Sequence, residues 1–115
     1  VTFVENYKGV LPILKKNLSS LKIDENYEVV EQNILNGITL KVLNNKFDII
    51  FLDLPYKEKN LKKILDNILS EKLLNDNGVI IIHRHKNENN QFSENLKIIE
   101  EKKYGISKII FVTLN

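Results

Sequence analysis

The run Phe47-Asp-Ile-Ile-Phe-Leu-Asp53 constrains this chain more than any other segment. Its apolar residues are nearly continuous, whereas a strand with one wet face alternates apolar and polar side chains. Such a run suits a strand covered on both faces, central in a parallel sheet. It stops on an acid, and Leu54-Pro55-Tyr56 follows at once. Proline fixes its own φ, lacks an N–H and biases the preceding residue towards an extended conformation, so the ladder must end here. The expectation is a central strand with any chemistry of Asp53 at its carboxyl end.

The flanking sequence alternates between two periods. Val1 to Glu5 reads as a short strand ending in an acid. From Tyr7 to Leu21, Val10, Ile13, Leu14, Leu18 and Leu21 recur at helical spacing, with Pro12 in the first turn. Tyr27 to Val30 supplies a second strand, and Ile34 to Leu43 is compatible with a short helix interrupted by Gly37. After the central strand, Leu61, Ile64, Leu65, Ile68, Leu69 and Leu73 mark an amphipathic helix. The Asn75-Asp76-Asn77-Gly78 tract reads as a turn leading into a strand over Val79 to Ile82. Asn87 to Ser93 is a polar loop. Leu96 to Lys102 and Lys108 to Leu114 form a closing pair of strands, and their short link through Tyr104-Gly105 requires an antiparallel hairpin. The alternation predicts an open α/β sheet with helices on both faces and ligands at the carboxyl ends of the strands.

Composition narrows the function classes. A chain of 115 residues with 43% hydrophobic residues supports one domain with one core. The longest apolar runs, Ile49 to Leu52 and Val79 to Ile82, fall far short of the roughly 20 residues of a membrane span. Cysteine is absent, which excludes a disulfide framework and a thiolate metal site. No signal-peptide pattern opens the chain, and a cytoplasmic location is the default expectation. The net charge of +2 comes mainly from lysines, with Arg84 the only arginine, and does not by itself identify a nucleic-acid binder.

Asp53 admits two readings. It can cap the following helix, with Tyr56 packing at the entrance. Alternatively, its carboxylate and the Leu54 carbonyl can both accept hydrogens from an exocyclic amine, a poor nucleophile whose lone pair is delocalised into a base ring. Pro55 would stiffen that turn, and Tyr56 would stack on a base flipped out of its helix. His83-Arg84-His85 ends another strand with both histidines on one face, suited either to phosphate contact or to a solvated strand end. A metal site would need more ligands than the sequence offers there. Lys57, Lys59, Lys62 and Lys63 follow the tetrapeptide, placed either to meet RNA phosphates or to form a solvated helix face.

At these residues the chain resembles the S-adenosylmethionine-dependent amino-methyltransferases of the RsmD type, which methylate guanine N2 in small-subunit (16S) ribosomal RNA. Those enzymes carry a D/N-P-P-Y/F signature in a context such as FDxIFxDPPY. Here FDIIFLDLPY matches it except at Leu54. VTFVEN at the start resembles the family's second strand with its terminal acid, and KKYGISKIIF its closing hairpin. The resemblance implies a Rossmann-like class I methyltransferase sheet, mostly parallel, with a C-terminal antiparallel hairpin. Residues 1–115 would form the C-terminal two-thirds of a single catalytic domain. Asp53, Leu54, Pro55 and Tyr56 would act on the base, and Glu5 would accept hydrogen bonds from both ribose hydroxyls of the cofactor. Asn33 would read the adenine amino group with Ile34 against the ring, and a one-residue slip would give the reading role to Gln32. The implied partner is 16S rRNA or a small-subunit assembly intermediate, with no metal and no membrane.

Two departures matter. Leu54 stands where the family has its first proline, although the backbone carbonyl it supplies is unchanged. More seriously, the family's first strand and glycine-rich turn have no counterpart before VTFVEN, and Gly9, Gly37, Gly78 and Gly105 form no cluster. In the family the missing strand lies between the second and fourth strands. The expectation is therefore an impaired fragment with two apolar edges, each a hazard for association. Those edges would be filled by a retained segment, by a second copy or by direct closure.

Three alternatives remain at this level. One is a methyltransferase acting on adenine or cytosine amino groups of DNA or RNA. Another is a nonenzymatic remnant that binds RNA or a partner. The third is a phosphoacceptor receiver domain with Asp53 as its acceptor. A receiver requires an acidic pair after its first strand and usually a proline four residues beyond the aspartate, where this chain has Lys57.

Overall fold

The computed structural model describes residues 1–5, 8–21, 27–31, 33, 46–54, 60–88 and 92–115. The chain divides into two compact units, Val1–Thr39 and Leu40–Asn115. The helix expected over Ile34 to Leu43 lies outside the described residues.

In the first unit, β1 (Thr2–Glu5) and β2 (Glu28–Glu31) pair in parallel, with Phe3 opposite Val29 and Glu5 opposite Glu31. Parallel neighbours need a crossover, and α1 (Leu11–Ser20) lies within it. Pro12 occupies the first turn, where a missing N–H costs no helical hydrogen bond. Leu11 and Leu18 are buried, but Ile13 and Leu21 are exposed, so the apolar stripe is narrower than the spacing implies. The Lys15 ammonium meets the Glu31 carboxylate at the end of β2.

The second unit holds β3 (Phe47–Asp53), α2 (Leu61–Ser70), β4 (Leu74–His85), β5 (Leu96–Tyr104) and β6 (Ser107–Leu114). Its sheet runs β3-β4-β6-β5, with β3 parallel to β4 and both other pairings antiparallel. The closing hairpin is the expected one. Tyr104 pairs with Ser107, leaving Gly105 and Ile106 as the loop, and Gly105 takes the positive φ of 56° that the first position of a type II′ turn demands.

The core follows from two periodicities. On α2, Leu61, Ile64, Leu65 and Ile68 are buried at i, i+3, i+4 and i+7. On the sheet, Ile80 lies opposite Val112 and Ile82 opposite Ile110, and all four are essentially inaccessible. Burying such side chains contributes about 1.5–3 kcal/mol each. No described helix is long and apolar enough to cross a membrane.

The structure corrects two expectations. β3 is not covered on both faces: among the described residues it pairs on one side only, and Leu52 is buried, whereas Ile49 and Phe51 on the opposite row are 65% and 58% exposed. The alternation of side chains explains the split, because only the even-numbered row shares the face of Ile80 and Ile82. The Asn75–Gly78 tract is not a turn but the irregular first part of β4, where the register against β3 shifts.

The reversal lies earlier, at the end of α2. Leu73 N–H donates to the Ile68 carbonyl and Lys72 N–H to the Leu69 carbonyl, both at 3.1 Å, with Lys72 at φ 54°. This is a Schellman closure with lysine where glycine is the usual residue. Gly78 is needed instead for close approach, since a Cβ there would lie 2.5 Å from Leu74 Cδ1 and 3.0 Å from the Asn75 carbonyl oxygen.

Two substitutions should therefore act with opposite signs in urea denaturation. Lys72→Gly keeps the left-handed cap but removes the Cβ that makes it cost roughly 1–2 kcal/mol, offset in part by glycine's entropy, and should stabilise by about 0.5–1 kcal/mol. Gly78→Ala should destabilise by about 1–3 kcal/mol through overpacking, although alanine ordinarily improves on glycine in a strand.

Candidate active site

The register of β3 against β4 builds the site. Leu52 lies opposite Ile82 and Asp53 opposite His83, so an acid and an imidazole leave the carboxyl ends of two adjacent parallel strands together. Both belong to the odd-numbered row, on the accessible face that carries Ile49 and Phe51. His83 Nδ1 lies 2.9 Å from Asp53 Oδ1. An ionised carboxylate only accepts, so in this contact Nδ1 carries the proton and donates it. The imidazole side chain is 26% exposed and the carboxylate 64%. Asp53 thus keeps access to solvent and to any ligand above the strand ends.

Leu54 continues the alternation by one step, and its side chain is buried at 8% exposure. The leucine that replaces the family's proline therefore anchors the residue after β3 onto the buried face, whereas the sequence suggested only a backbone role. Pro55, Tyr56, Lys57 and Lys59 lie outside the described residues.

The strand that carries His83 separates its functions by parity, as its spacing predicts. His83 and His85 share the accessible side, and Arg84 between them is only 2% exposed. Arg84 lies opposite Lys108, which is 7% exposed. Two adjacent buried cations are unfavourable unless compensated. Glu88 lies 3.7 Å from Arg84, Glu101 lies 3.8 Å from Lys108, and Lys108 also donates to the Glu88 carbonyl. These contacts make Arg84 part of an ion network inside the unit. The His85 ring accepts the Asn87 amide N–H at Nδ1, 3.2 Å away, tying it to the turn that follows. Lys62 pairs with Asp66 at 3.1 Å along α2, which is the behaviour of a solvated helix face.

The cofactor candidates lie in the first unit. Glu5 closes β1 opposite Glu31, and Asn33 follows β2 and is exposed. Ile34 and Gln32 lie outside the described residues. Among the described residues, no three or more His, Asp or Glu side chains gather as a metal cluster would. Sequence reasoning singled out both Asp53 and His83 but did not pair them. The signal was present in the two apolar runs Ile49–Leu52 and Val79–Ile82, each followed directly by a polar residue, which become neighbours once the strands pair.

Comparison with known proteins agrees with this architecture. Residues 1–113 match the family model described as conserved hypothetical protein 95. The ribosomal RNA small subunit methyltransferase D of Haemophilus influenzae is 32% identical over 107 residues, covering 92% of this chain and 55% of that protein. Its namesake from Buchnera aphidicola subsp. Acyrthosiphon pisum is 31% identical, covering 88% of this chain and 52% of its own length. The chain thus spans about half the length of the curated relatives it matches. The crystal structure of a Haemophilus influenzae methylase superposes with a TM-score of 0.81 at 32% identity, over 97% of this chain and 70% of that one. A Streptococcus pyogenes protein of 22% identity superposes with a TM-score of 0.87, over 99% and 71%, a likeness of fold alone. The sheet is that of a class I methyltransferase, with the antiparallel hairpin at its end. By the match over residues 1–113, this chain belongs to the conserved hypothetical protein 95 family, that of the RsmD-type methyltransferases.

Proposed function

We propose that this chain carries the base-facing and adenosine-facing residues of an S-adenosylmethionine-dependent methyltransferase that acts on guanine N2 of small-subunit rRNA. The observation that carries the reading is Asp53 at the carboxyl end of β3, held by His83 and open to solvent, in a chain of this family. An exocyclic amine gains nucleophilicity when its hydrogens are drawn towards acceptors. Asp53 and the Leu54 carbonyl are such acceptors on consecutive residues, and they become most effective as positive charge develops on nitrogen. The Leu54 side chain is buried, which anchors the residue that would supply that carbonyl.

The cofactor end is argued from its chemistry. A ribose diol presents two O–H donors, and a carboxylate at a strand's carboxyl end is the acceptor it needs. Glu5 holds that place on β1. Asn33, two residues past the end of β2, would read the adenine amino group. When bound, S-adenosylmethionine supplies a sulfonium methyl group: the N–C bond forms as the C–S bond breaks, and that bond's electrons return to sulfur. The Asp53 carboxylate would accept the proton released from the methylated amine.

The 115-residue chain by itself is expected to be a poor enzyme. β3 pairs with β4 on one side only, and β1 with β2 on one side only, among the described residues. Paired edges are strongly preferred to bare apolar ones. Sedimentation of the purified chain should show self-association, and titration should show weak cofactor binding. A monodisperse monomer with micromolar affinity for S-adenosylmethionine would contradict this.

In the gene product containing this chain, labelled S-adenosylmethionine should mark naked or partly assembled small-subunit RNA on an exocyclic amine. Label confined to protein or to ring carbon would sink the reading. Asp53→Ala should lower turnover by about 100-fold or more with little change in cofactor affinity, while Glu5→Ala should mainly weaken cofactor binding. Calorimetry with S-adenosylhomocysteine separates the two roles, and equal loss of affinity in both variants would contradict them.

A further inference from the structure

We infer that His83 is a positioning residue for Asp53, selecting the carboxylate orientation in which one oxygen is held and the other faces the amine. The inference rests on the proposed reading of Asp53 and adds a residue that the family signature does not contain.

The direction of the restraint follows from the backbone. His83 sits on an interior strand, paired with Asp53 on β3 on one side and with Ile109 on β6 on the other. Its Cα is therefore fixed by ladders on both sides, and its imidazole is the less exposed partner, at 26%. Asp53 is the last residue of the edge strand, and its carboxylate is 64% exposed. An exposed aspartate on a strand end populates several rotamers of similar energy. Donation from Nδ1 to Oδ1 at 2.9 Å selects one of them and leaves Oδ2 for a second donor. His85, on the same strand and face, has its Nδ1 engaged by the Asn87 amide.

Pairs as exposed as this one contribute little to stability. The contact therefore matters for geometry rather than for folding. A misplacement of about 1 Å at a reacting group can cost about 100-fold in rate, so losing one rotamer restraint on an otherwise intact carboxylate should cost about 10-fold.

The chemistry of the contact chooses the variants. Asparagine places its amide nitrogen one bond from Cγ, where histidine has Nδ1, so His83→Asn keeps a donor in the same place. His83→Leu removes the donor at similar volume. Two measurements then decide. In the 115-residue chain, the ¹⁵N signal of His83 Nδ1 should be that of a protonated nitrogen and should move on Asp53→Ala. In the full gene product acting on small-subunit RNA, His83→Leu should lower kcat about 10-fold with KM for RNA unchanged, and His83→Asn should recover most of the loss.

An Nδ1 signal indifferent to Asp53→Ala overturns the inference. So does a His83→Asn variant as impaired as His83→Leu, or a His83→Leu variant whose loss lies entirely in KM, which would make His83 an RNA contact. If the wild type transfers no methyl group to RNA, the proposed function fails. The imidazole spectrum still decides whether His83 holds Asp53.

Discussion

The parallel pairing of β3 with β4 is the constraint on which the second unit and its site depend. One registration places Leu52 beside Ile82 on the buried face and Asp53 beside His83 on the accessible one. Side chains alternate with a period of two, so a slip by one residue would bury the acid and expose the core. The apolar row thus specifies the position of Asp53 without contacting it. The anchor at Leu54 extends the same logic one residue beyond the strand, where the amine-facing carbonyl is expected.

Much of this was legible in the sequence because period and punctuation agreed. β3 was read with the boundaries it has, α2 from its leucine and isoleucine spacing, and the terminal hairpin from Gly105, whose positive φ the turn requires. The misread parts share a physical cause. Asn75-Asp76-Asn77-Gly78 has the composition of a turn, but the chain had already reversed at Lys72, and the tract lies as an irregularity within β4 between Leu74 and Val79, which pair with β3. Local composition cannot anticipate a lysine at a left-handed helix cap. Nor can it reveal that one face of an apolar strand remains uncovered, since Ile49 and Phe51 look no different from Ile50 and Leu52 until the neighbours are placed.

At the site, the sequence marked the acid through its place after an apolar run but could not join it to a residue 30 positions away. The histidine pair was visible as two residues on one face, and the register supplied the rest. Arg84 shows the same limit from the other side. The sequence placed it either at a phosphate contact or at a solvated strand end, whereas strand parity turns it inward to Glu88 beside Lys108. Such a network is better explained by compensation of buried charge than by recognition of a ligand.

The central claim is that the accessible end of β3 and β4 presents an acceptor pair to a base amine in small-subunit rRNA. The most direct test is nucleoside mass spectrometry of that rRNA, comparing cells with the intact gene, cells without it, and cells complemented with the Asp53→Ala form. The account predicts that N2-methylguanosine at one position disappears with the gene and is not restored by the variant. An rRNA methylation pattern unchanged by the deletion, or fully restored by Asp53→Ala, would contradict it.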